Sequence, residues 1–180
     1  YFISHAFIIG SYIKNKRRLH NLFNNNVLVT LQFTRDHSVA ENALLLDELE
    51  AFLFSEKNIN FYLKHHPRFN NEVDISKILK YDNIHIAPSD ISTCFQLCSL
   101  HATTYSSSTF DAAILGIPTV LIDSKCRFDV FRKHYCYPLD NNISYFANPQ
   151  RYQESVSKVL EWSMGYYSNY EETDFLKLFK

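Results

Sequence analysis

HATTYSSSTFDAAILGIPTVLID, residues 101–123, decides the architecture. HATTY (101–105) reads as a strand, and three hydroxyls follow at Ser106, Ser107 and Ser108. Residues 108–115 then read as a short helix that stops at Gly116, with Pro118 two residues on, the usual chemistry of a helix end. PTVLID (118–123) supplies the next strand. A strand, a helix and a strand joined this tightly form a βαβ unit, whose strands lie parallel through a right-handed crossover.

The same alternation extends to both sides. VLVTLQF (27–33) is a buried strand. Residues 38–54 are a helix capped by Ser38, with Val39, Leu45, Leu46, Leu49, Phe52 and Leu53 near one face. INFYLK (59–64) is a second strand, closed by Pro67; NEVDISKILK (71–80) is expected to be a short helix, and NIHIAP (83–88) a third strand. Ser89 or Asp90 caps a helix through Leu97, Pro149 opens one through about Met164, and 170–180 reads as a last amphipathic helix. Short strands alternating with helices give a Rossmann-like three-layer α/β/α domain with a mainly parallel sheet. The expected division is a linking helix or interdomain segment over 1–25, the domain over 26–165 and a C-terminal helix over 166–180.

Composition sets the outer bounds. The 180 residues fit one domain, by a rule of roughly 100–200 residues per domain, and the average hydrophobic content excludes intrinsic disorder. Eighteen Lys and Arg against nineteen Asp and Glu leave a net charge of −1, which argues against nucleic acid as the main partner. Three glycines exclude a Gly-rich dinucleotide fingerprint and a Walker-type phosphate loop. No apolar run is long enough to span a membrane, and the first residues lack the pattern of a signal peptide. Cys94, Cys98, Cys126 and Cys136 form no CxxC pair, so buried free thiols in a reducing, cytoplasmic compartment are expected, and no motif resembles a metal site. The chain starts at Tyr1 and its one methionine is Met164, which reads as a piece of a longer protein.

In a doubly wound sheet, ligands bind where the strand-to-helix loops converge at the carboxyl ends of the strands. Here that rim gathers Thr34 and Arg35, then His65, His66, Pro67 and Arg68, then Ser106, Ser107, Ser108 and Thr109. Hydroxyls and backbone N–H groups at a helix start cradle phosphate without glycine. His66 adds a donor whether charged or neutral, Arg35 supplies positive charge, and Pro67 holds the chain extended behind the imidazole. The competing readings are structural. Ser108 and Asp111 fit a capping box, His66 a surface turn, and Arg35 with Asp36 a solvated loop pair.

LKHHPRF (63–69), TTYSSSTFDAAILGIPTVLID (103–123) and LQFTRD (31–36) resemble the carboxyl-terminal, donor-binding half of GT-B glycosyltransferases that build bacterial surface polysaccharides. The nearest patterns belong to CDP-glycerol glycerophosphotransferases and to bacterial sialyltransferases and polysialyltransferases. Both pair a His-Pro motif after one strand with a Ser-Ser motif after a later one. The resemblance covers roughly residues 27–123. It implies that His66 contacts the donor phosphate and assists departure of the nucleotide, that Ser106 and Ser107 hydrogen-bond the same phosphate, and that Asp111 sits near the ribose or braces the helix start.

The implied donor is a CMP- or CDP-activated sugar or polyol phosphate, acting as substrate, with no separate cofactor. The implied partner is an N-terminal acceptor domain that carries the general base, so this chain is expected to bind nucleotide without catalysing transfer. Thr104 stands where those families often have an acidic residue, and LIDSKCRFD (121–129) lacks the Gly-containing loop of the glycerophosphotransferases. Residues 1–23 and 166–180 read as helices that meet the other half. Lys14, Lys16, Arg17 and Arg18 form a basic cluster suited to a solvated helix face or to peripheral contact with anionic lipid at the inner membrane face. A UDP-N-acetylglucosamine 2-epimerase type of enzyme and a noncatalytic α/β binding module are the alternatives.

Overall fold

Among the residues described by the computed structural model (20–68, 72–122, 133–138 and 142–168), five strands and five α-helices occur in the anticipated alternation. They are β1 (Asn26–Thr30), α1 (Val39–Phe54), β2 (Asn60–Lys64), β3 (Ile84–Ile86), α2 (Ile91–Leu97), β4 (Leu100–Thr103), α3 (Ser108–Ile114), β5 (Thr119–Leu121), α4 (Ile143–Phe146) and α5 (Pro149–Ser168). The sheet order is β3-β2-β1-β4-β5 and every pairing is parallel. Residues 1–19 and 169–180, which carry the expected terminal helices and the basic cluster, lie outside the described residues, as does Cys126. None of the described helices is long and apolar enough to cross a membrane.

The two faces of the sheet are covered by different helices. Val27, Val29, Phe61, Leu63, Leu100 and Ala102 pack against Leu45, Leu49 and Leu53 of α1, Phe146 of α4, and Tyr152 and Val156 of α5. Leu28, on the opposite face, packs with Phe95, Cys94 and Cys98 of the α2 region and Ala112 of α3. A buried leucine contributes about 2 kcal/mol relative to leaving it in water, so the single stripe of α1 anchors that helix firmly. Burial pushes the Cys98 thiol up to about 12, which leaves it an inert packing group.

Local chemistry sets the helix ends. Ser38 and Glu41 form a reciprocal capping box on α1. Asp90 caps α2 through a 2.7 Å bond from the Thr93 amide. Gly116 ends α3 at φ +71°, with its N–H bonded to the Ala113 carbonyl and the Ile117 N–H to that of Ala112.

Two expectations need correction. Residues 71–80 do not form an α-helix: the described part holds only a 3-10 turn at Ile78–Lys80. Asp74 accepts from the Ser76 amide at 2.9 Å, a local bond that competes with helical pairing where a short run has little else to nucleate it. The first strand also ends earlier than its apolar run, at Thr30 instead of residue 33. Leu31 still gives its N–H to the Lys64 carbonyl at 2.9 Å, but Phe33 is buried in the core beyond that last bond, so its apolar character reports burial.

Candidate functional site

The strand order places a topological switch between β1 and β4. The chain leaves β1 through α1 toward β2 on one side, and leaves β4 through α3 toward β5 on the other. Loops diverge there and open a crevice above the carboxyl ends. Register puts Thr30, Lys64 and Thr103 on one level, so His66 and Ser106 start two and three residues above the same edge. Their strands flank β1 on opposite sides, which separates the two strand axes by about 10 Å.

The serine run is built downward into the sheet. Ser108 Oγ donates to Ser106 Oγ at 2.7 Å and meets Thr30 Oγ1 and His101 Nε2 at 3.2 Å each. His101 Nε2 lies 2.9 Å from Thr30 Oγ1, and its Nδ1 lies 3.0 Å from Thr119 Oγ1. Ser106 also accepts from the Ser108 amide at 3.3 Å and gives its own amide to Thr103 Oγ1 at 3.3 Å. Ser106 is partly exposed, Ser107 exposed and Ser108 buried. The run is therefore held by a buried polar network, with one hydroxyl at the surface edge of that network.

This geometry removes the capping-box alternative at α3. The helix caps on Ser107, whose side chain bonds no helix amide, and Ser108 turns inward to the network. Asp111 does not reach back: its Oδ1 is buried without a partner among the described residues, and burial pushes its carboxyl up to about 7. The neighbouring Thr109 Oγ1 is also buried without a hydrogen-bond partner among the described residues.

His66 sits half-buried at the far side of the crevice. Its Nδ1 accepts the Arg68 amide at 3.1 Å, so a neutral ring carries its proton on Nε2. Burial, then the Arg68 charge, lowers its pKa below the usual histidine value, which favours that neutral form. The chain turns at Pro67 and Arg68 instead of running extended as anticipated. The turn, closed by the Arg68 amide, fixes the imidazole.

Thr34 and Arg35 occupy the β1 side. Thr34 is buried and clasped by Asn42, which donates to its carbonyl at 2.9 Å, while its own Oγ1 accepts from the Asp36 amide at 3.2 Å. Arg35 donates through Nε to Glu72 at 2.8 Å, with its side chain largely in solvent. Its charge is shared with a carboxylate, where the sequence offered it to phosphate. Tyr105 bridges the two loops, its hydroxyl 2.8 Å from His37 Nε2 while His37 Nδ1 meets Asn42 at 3.2 Å. A shallow cleft of about 410 Å³ lies beside this loop, bordered by Arg35, His37, Val39 and Glu72. The structure thus gathers the candidates along one rim, with Ser106 to Ser108 beside the crevice, His66 across β1, and Thr34 and Arg35 in a separately braced loop.

Reading the sequence missed His101, Thr30, Thr119 and Tyr137, the groups beneath the serines. Tyr137 is buried, accepts from the Thr119 amide at 2.8 Å, and has its phenol pushed up to about 12 by burial. The available signal was a histidine and a threonine alternating along the strand at 101 and 103.

Comparison with known proteins adds fold-level likeness. No family model and no curated protein matches the chain. Among solved structures it is similar to the wall teichoic acid polymerase TagF, at 21% identity over 88% of this chain and 42% of that one, with a TM-score of 0.48. It is also similar to the spinosyn rhamnosyltransferase SpnG, at 15% identity over 83% and 41%, TM-score 0.47. A third is a Listeria monocytogenes protein described as a UDP-N-acetylglucosamine 2-epimerase, at 14% identity over 86% and 41%, TM-score 0.42. The chain spans about two fifths of the length of each.

Proposed function

We propose that this chain is the nucleotide-donor-binding half of a glycosyltransferase that uses a CMP- or CDP-activated sugar or polyol phosphate to build a surface polysaccharide. One observation carries the reading: at the β1–β4 crevice, the serine run rests on a buried hydroxyl and imidazole network that orients it. Three serines needed only as a helix start would not require bonds to two strands and a buried histidine. The resemblance of residues 63–69 and 103–123 supports the choice of donor.

Transfer from a nucleotide donor leaves negative charge on the departing phosphate, and donors already aimed there lower the barrier. Ser106 supplies its hydroxyl, Ser107 its hydroxyl and backbone N–H, and His66 a neutral Nε2–H from across β1. The Ser106 and His66 side chains are held before the ligand arrives, so little ordering cost falls on the reaction. Asp111 lies one turn into α3, near where a ribose would follow its phosphate. In this reading the acceptor and the general base come from an N-terminal half, transfer takes place at the inner face of the membrane, and the chain by itself binds donor without turnover.

Calorimetric titration with CMP, CDP and UDP tests this. The expected result is saturable binding with CDP tighter than UDP, lost when His66 and Ser106 are both replaced by alanine while the melting temperature shifts by only a few degrees. Absence of binding at millimolar nucleotide would identify a noncatalytic module. A preference for UDP would favour the epimerase class.

A further inference from the structure

His101 lies in β4 with none of its surface exposed, edge-on to the Phe95 ring and with no charged partner among the described residues. A neutral imidazole has one N–H and one bare nitrogen, so its neighbours decide which nitrogen holds the proton. Ser108 spends its one hydroxyl proton on Ser106, the shortest link of the network, and therefore accepts from the His101 side. A bare Nε2 would set two acceptors against each other at 3.2 Å. A protonated Nε2 satisfies both Thr30 and Ser108, and leaves Nδ1 to accept the Thr119 hydroxyl. Ser106 then has its acceptor positions filled by the Ser108 hydroxyl and amide, and its remaining group is a proton that points out of the network.

We propose that His101 is a positioning residue for the donor phosphate: in its Nε2–H tautomer it sets a one-way chain of hydrogen bonds, from Thr119 through His101, Thr30 and Ser108, that makes Ser106 an outward donor. The inference rests on the donor-site reading above and adds a residue that touches no ligand. Each link polarises the next, so the terminal hydroxyl donates more strongly than an isolated serine. Burial holds the ring neutral, with a pKa lowered to about 3, so the direction of the chain does not change across the pH range of a cell.

The test has two arms. Nitrogen-15 spectra of the wild-type imidazoles, assigned by the signal lost in His101→Gln, report the tautomer directly, and the proposal requires a protonated Nε2 and a bare Nδ1. CDP affinity is then compared in His101→Gln, whose amide reaches Thr30 and Ser108, and in His101→Asn, whose shorter amide reaches only toward Thr119. Glutamine should stay within about threefold of wild type and asparagine should weaken CDP about tenfold, the scale of one lost hydrogen bond. A protonated Nδ1, or equal CDP affinity in the asparagine variant and wild type, overturns the relay and leaves the donor site standing. A wild type that binds CDP no more tightly than Ser106→Ala overturns the donor site itself, and the relay with it.

Discussion

Two buried groups on neighbouring segments pull stability in opposite directions as pH changes. Asp111 keeps its proton in the fold up to about pH 7 but loses it near 3.8 when unfolded, so it lowers stability as pH rises between those values. His101 stays neutral in the fold down to about pH 3 but charges near 6.5 when unfolded, so it lowers stability as pH falls below 6.5. From about 4 to 6.5 the two slopes offset each other. Asp111→Asn removes one of them. The variant should gain over wild type progressively between pH 4 and 7, level off above 7 at an advantage on the order of 1–4 kcal/mol, and show the acid slope of His101 without compensation. Urea unfolding from pH 4 to 8.5 measures this, and parallel curves for the two proteins would refute it. At this scale the sequence showed the upper layer of the candidate site, because Ser106 to Ser108 and His66-Pro67 stand out as runs. It hid the layer below, because His101 looks like any strand residue until Thr30, Thr119 and Ser108 are seen around it.

Elements were legible wherever their ends carried unambiguous chemistry. Ser38, Gly116 and Pro149 each mark a helix boundary that the structure reproduces, and of the two candidates Ser89 and Asp90 it is Asp90 that caps. The helix expected over 71–80 failed because Asp74 offered the Ser76 amide a nearer partner than the helix could. The first strand was overstated because burial continues to Phe33, past the last cross-strand bond at Leu31. Gly116 gives the sharpest test of an element boundary. Its positive φ disfavours any side chain, and a Cβ there would meet Val156 Cγ1 of α5 at 3.2 Å. Gly116→Ala should destabilise the fold by about 1–2 kcal/mol, read as a lower urea midpoint with an unchanged slope. A neutral or stabilising effect would mean that α3 and α5 can shift apart, and the serine run with them.

At the scale of the whole molecule, the parallel sheet brings distant stretches of sequence to one edge. His66 and Ser106 stand forty residues apart and share that edge only because β2 and β4 both flank β1 in parallel. The three-layer architecture was readable from the alternation of elements, but the relative position of those two residues was not, since it depends on strand order. Residues about 10 Å apart ordinarily contribute additively, and energetic coupling between them requires something that both hold. A double-mutant cycle on CDP affinity with His66→Ala, Ser106→Ala and the double variant measures that coupling. Grip on a single anion predicts a loss in the double variant that departs from the sum of the single losses by at least about 0.5 kcal/mol. Strict additivity, or no loss from either single change, would contradict it.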